Sequence, residues 1–127
     1  MNILHNTKIW LLIIAVMHML MGVGASYAQL GNEHLAMIGF FAAVGVYLFY
    51  AALMTVGQEQ ARLAVVLCGP VFVWFVLAAA MGLDMAGEPA APFPEAIVPM
   101  ILWGMPALSG LMGWNMDDSA APEAAEA

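Results

Sequence analysis

His18 is the side chain in this 127-residue chain best placed to do chemistry. It lies inside a run, 9–32, that contains no Asp, Glu, Lys or Arg. An imidazole can pass a proton, ligate a metal or haem, or hydrogen-bond a quinone-like head group, and a neutral ring both donates and accepts. An ionisable group in the middle of an apolar helix is a functional candidate by default, because leaving it there unused is expensive. Tyr47, Trp74, Trp103 and Pro106 fall at similar depth if the apolar runs around them are helices, so His18, Tyr47 and Trp74 form a candidate cofactor-binding site. A structural role competes with this one. Pro106 frees the carbonyl of Leu102 from its helical partner, and His18 could donate to that oxygen and fasten the first helix to the fourth.

The other candidates are weaker. Glu33, His34 and Asp84, with Glu88 and Glu95 nearby in sequence, could bind a divalent cation if their loops lie side by side. The competing expectation is a solvated acidic rim, with Asn32 capping the helix that follows. Met17, Met19 and Met21 flank His18, and thioethers with imidazole suit Cu(I). Residues 17 and 19 point to opposite sides of a helix, however, which leaves only His18 and Met21 on a shared face. A bis-histidine haem within one chain is disfavoured, since His34 lies roughly half a membrane thickness from His18 at about 1.5 Å per residue. Cys68 is the single cysteine, so no intrachain disulfide or CxxC motif exists. No phosphate loop, HExxH or GxSxG pattern is present.

The elements that must position these residues follow from composition. Hydrophobic residues make up 65% of the chain and charged residues 9%, too much apolar surface for a soluble domain of this size to hide. Charge-free runs cover 9–32, 34–58, 63–83 and 96–116. A bilayer core about 30 Å thick takes about 20 apolar residues as a helix, and unpaired backbone groups rule out lone strands there. The expected fold is therefore all-α: an integral membrane four-helix bundle with transmembrane helices at about 9–28, 34–57, 63–83 and 96–116. It forms a single domain over 1–116, followed by an acidic, solvated tail at 117–127. Ser26-Tyr27-Ala28 after an apolar stretch resembles a signal-peptide cleavage site, but the stretch is longer than the usual 7–15 residues.

Lys8 and Arg62 are the two basic residues. Four spans put both on one side, and positive charge favours the cytoplasm. The N-terminus, the 58–62 loop and the C-terminus are expected inside, with 29–33 and 84–95 outside. The latter, DMAGEPAAPFPE, should form a short ordered cap.

Lipid gives helices no hydrophobic reason to associate, so small residues mark contact faces. Gly39 and Ala43 in the second span, and Gly104, Ala107, Gly110 and Gly113 in the fourth, predict that these two spans meet, or that the chain self-associates or binds other membrane subunits through these faces. A net charge of −7 with two basic residues excludes nucleic-acid binding. The expected partner is the lipid bilayer. The expected function is that of a non-catalytic accessory or interaction subunit of a membrane assembly. The alternatives are a small oligomeric transporter or channel using His18, or a cofactor- or quinone-binding redox subunit.

Overall fold

The computed structural model describes residues 5–115, and the expected acidic tail at 117–127 lies outside them. Helix α1 (Thr7–Met17) is capped by Asn6, whose side-chain oxygen accepts from the Ile9 N–H at 3.2 Å. It widens into a π-helical segment, His18–Ala25, and returns to α-helix in α2 (Ser26–Leu30). Gly31, at φ 64°, turns the chain into a short 3-10 segment, Gly31–His34. Helix α3 (Leu35–Met54) then runs back antiparallel along α1 and the π-helical segment.

Helix α4 (Gly57–Met81) starts where Gly57, at φ 60°, reverses the chain again. It ends on Gly82 in the left-handed region, where the Leu83 N–H bonds the Ala78 carbonyl at 3.0 Å. A two-residue hairpin pairs β1 (Asp84–Met85) with β2 (Glu88–Pro89), and Ala91 and Ala96 pack with Ala78 to hold the expected cap in place. Helix α5 (Ile97–Met112) closes the fold.

Among the described residues the regular structure is thus helical but for that small hairpin. Two helical stretches, Thr7–Met54 and Gly57–Met81, are long and apolar enough to cross a membrane, and Ile97–Met112 is apolar but shorter. The first stretch is folded in half at Gly31.

One boundary is corrected. Residues 58–62, expected as a loop, form the first turns of α4. The reason is Gln60. Its amide nitrogen lies 3.0, 3.1 and 2.8 Å from the carbonyls of Ala51, Ala52 and Thr55, binding the end of α3 to the start of α4.

The expected meeting of the second and fourth spans is also corrected. Helix α5 packs chiefly against α4, and α3 chiefly against α1 and the π-helical segment. The ring of Phe72 on α4 covers Gly104, and Gly110 brings the α5 backbone against the Ala61 carbonyl, Ala64 and Val65. Ala107 is in the core and Gly113 ends α5 buried, while Ala43 is half-buried and Gly39 is exposed with open space around it. The glycines of α5 therefore serve the hairpin it forms with α4, because a bare backbone is what lets that pair approach closely.

The two hairpins join through α1 and α5. Leu11, Ile14, Leu48, Ala64, Cys68 and Trp103 are among the residues of the core they share. At the end of the bundle holding Lys8 and Arg62, the buried Ser109 hydroxyl donates to that of Thr7 at 2.7 Å. Arg62 Nε and the Gln58 amide both donate to the Trp114 carbonyl, just beyond the end of α5, with the guanidinium 5.6 Å over the Trp114 ring. Glu33, Asp84, Glu88 and Glu95 occupy the opposite end. The outward faces are apolar: Val46, Leu53, Val66, Leu77 and Leu108 are all exposed.

Candidate functional site

Helical hydrogen bonding changes register at His18. In a π-helical turn each N–H reaches back five residues, the turn widens, and side chains drift from α-helical positions. His18 is the first residue of that widened segment. Its Nε2–H donates to the Phe41 carbonyl on α3 at 2.7 Å. That bond replaces the expected one to Leu102, because α3 rather than α5 lies along this face of the π-helical segment. The Trp103 ring of α5 meets the imidazole edge-on, with centroids 5.3 Å apart, and the Phe41 ring lies 6.0 Å away in a similar T-shaped contact. His18 therefore touches helices from both hairpins.

Two glycines make room for it. A Cβ at Gly22 would stand 2.9 Å from His18 Nδ1 and 3.1 Å from Cε1. A Cβ at Gly45, on α3, would collide with the Met19 thioether and come within 3.7 Å of His18 Cδ2. The glycines thus bring α3 close enough for the hydrogen bond and leave the opposite edge of the ring uncovered.

Beside His18 lies a cavity of about 550 Å³, within the range of sites for small organic ligands. Phe40, Phe41 and Val44 of α3 form one wall, and Pro70, Val71 and Trp74 of α4 face them. Met17, His18, Met21 and Gly22 line it from the first hairpin, Leu102 and Trp103 from α5, and Met85 and Ala90 reach it from the cap. Helices α3 and α4 make little contact with each other, so the space between them is open at the side, where Phe40 is 66% and Trp74 37% exposed. Toward the basic end the shared core closes it. Among the described residues that line the cavity, His18 alone is ionisable.

The candidate cofactor residues are thus partly brought together. His18 and Trp74 share the cavity, whereas Tyr47 is exposed and does not line it. His18 meets α3 at Phe41 and Gly45, and Tyr47 lies on the outward side of that helix, which position along a helix cannot reveal. Of the methionines, Met17 and Met21 line the cavity with His18, while Met19 turns toward Gly45. At the acidic end, Glu33 and Asp84 are exposed and His34 is half-buried. Among the described residues no three His, Cys, Asp or Glu side chains form a group that could hold a metal ion. Asn32 accepts from the Tyr27 hydroxyl at 3.1 Å rather than capping α3.

Phe41, Gly22 and Gly45 are the neighbours of His18 that sequence reasoning missed. The glycine pair Gly22 and Gly24, just after His18, was the available signal, since two glycines within an apolar helix mark a place where regular helix is weak.

Comparison with known protein families, with characterised proteins and with solved structures finds no match to this chain.

Proposed function

We propose that this chain is a four-span membrane protein, non-catalytic in itself, that holds a lipid-soluble small molecule in the cavity beside His18. The observation that carries the proposal is the cavity: about 550 Å³, lined by aromatic and aliphatic side chains with one imidazole, and open between α3 and α4. A molecule dissolved in the bilayer would enter sideways without crossing water.

Three features support the four spans. The outward faces of the helices are apolar, α1 to α2 and α3 lie side by side as a hairpin, and α5 is paired along α4. Helix α5 rises about 24 Å over its 16 residues, and the turns at its two ends extend it. Segregation of Lys8 and Arg62 to one end and of Glu33, Asp84, Glu88 and Glu95 to the other supports cytoplasmic termini. The closed core at the basic end disfavours a pore through a single chain.

The proposal is tested by purifying the protein in a mild detergent, extracting it with organic solvent and identifying the extracted molecules by mass spectrometry. The expected result is one apolar compound class enriched in proportion to protein. Recovery of bulk lipid alone, in the ratios of the membrane of origin, would count against it.

The role of interaction subunit keeps one supporting observation. Gly39 is exposed with nothing within 4 Å of a Cβ placed there, so α3 presents a surface that another helix could approach. Crosslinking through a cysteine at position 39 would detect that neighbour.

A further inference from the structure

The hydrogen-bond roles of the His18 ring select the kind of head group the cavity accepts. The Phe41 carbonyl can only accept, so Nε2 carries a proton to make the 2.7 Å bond. In the neutral imidazole Nδ1 is then an acceptor with an open lone pair. Among the described residues nothing bonds to it, and no buried side-chain nitrogen or oxygen is left without a partner, so Nδ1 is reachable rather than sealed. It faces Gly22, which also lines the cavity, and the missing Cβ there leaves its approach clear. The remaining polar groups on lining side chains are the indole N–H of Trp74 and Trp103, which only donate, and thioethers, which accept weakly. A ligand that brings a hydrogen to this site therefore has one strong side-chain acceptor to give it to.

The geometry points to a ligand with an apolar body and a hydroxyl head group, its O–H donated to His18 Nδ1, rather than to a ketone, quinone or ether. This rests on the cavity being a ligand site, as proposed above. A hydroxyl alone among these heads supplies the hydrogen that Nδ1 lacks. A carbonyl at Nδ1 would set lone pair against lone pair; it could be satisfied only by turning to an indole N–H of Trp74 or Trp103, which leaves Nδ1 without a partner in an apolar pocket. Aliphatic alcohols and quinols share this chemistry, and the test separates them.

Protein in phosphatidylcholine nanodiscs is titrated with farnesol, farnesyl methyl ether, a decyl-substituted benzoquinol and the corresponding benzoquinone, following Trp fluorescence. Each hydroxyl compound should bind roughly tenfold tighter than its partner, the worth of one net hydrogen bond. Preference within the alcohol pair alone assigns an aliphatic alcohol, and within the quinol pair alone a quinol. His18→Phe should bring the preference to unity while apolar binding persists. Nitrogen-15 NMR of the unaltered protein should show His18 protonated on Nε2 alone, a readout that needs no variant. Equal binding within both pairs, tighter binding of the ether or quinone, or a proton on Nδ1 overturns the head-group assignment and leaves the ligand site standing. Failure of all four compounds to bind overturns the ligand site itself.

Discussion

A Cβ placed on Gly22 would stand 2.9 Å from Nδ1 of His18, four residues earlier in the same helical segment. The ring occupies the space a side chain would need, and its far edge is held by the Phe41 carbonyl. Gly22→Ala must therefore push the imidazole against α3 or break the 2.7 Å bond, although alanine is the better helix former by about 1 kcal/mol. The expected outcome is a ligand affinity lowered roughly tenfold, the worth of a disturbed hydrogen bond, measured by fluorescence titration. Gly39→Ala is the control, because its Cβ meets nothing. It should raise thermal stability slightly and leave affinity unchanged.

Gly110 and Gly104 on α5 should respond unequally to the same change. At Gly110 a Cβ meets the Ala61 carbonyl, a backbone atom that cannot turn aside, so α4 and α5 must part. A loss of about 1–3 kcal/mol is expected in detergent unfolding. At Gly104 the obstacle is the Phe72 ring at 3.1 Å, which can shift a few tenths of an ångström, and the loss should be smaller. Equal losses would mean that this backbone contact does not set the helix spacing.

Gln60 is nearly fully buried and serves three carbonyls at the end of α3. Gln60→Met keeps the volume and removes the donor, leaving buried acceptors unsatisfied at about 1–3 kcal/mol. The melting temperature should fall, and the turn at 55–56 should become more open to protease. Ser109→Ala and Thr7→Val, each alone and together, should show coupling of about 1 kcal/mol across their buried hydroxyl pair.

The proposed membrane arrangement makes a labelling pattern. With cytoplasmic termini, single cysteines at Glu33 and Glu88 should react with an impermeant maleimide added to intact cells, and one at Gln58 only after permeabilisation. Cys68 is buried, so the parent protein supplies a silent background. Labelling at 58 and 88 from the same face would exclude a membrane-crossing α4.

Much of the frame was legible in the chain before any coordinates. Apolar runs separated by sparse charges marked helical segments, because backbone groups and charges in an apolar medium tolerate few alternatives. His18 stood out for the same reason. Helix ends were less legible. The polar stretch at 58–62 read as loop, yet Gln60 folds it into α4 through carbonyls eight and nine residues back in sequence.

The partners of each face were not legible. Small residues on the second and fourth spans suggested that these meet, but periodicity along one helix does not say which neighbour fills its groove. Tyr47 is exposed on α3 and misses the cavity, whereas Phe41, an ordinary apolar residue, supplies the carbonyl that orients the ring. That role belongs to the backbone, and no side-chain pattern encodes it. Composition by itself determined that the chain forms apolar helices, since that depends on the medium each residue prefers. Tertiary structure alone decided where they part to leave a cavity and which carbonyl holds the His18 ring, since both depend on contacts between residues far apart in the chain.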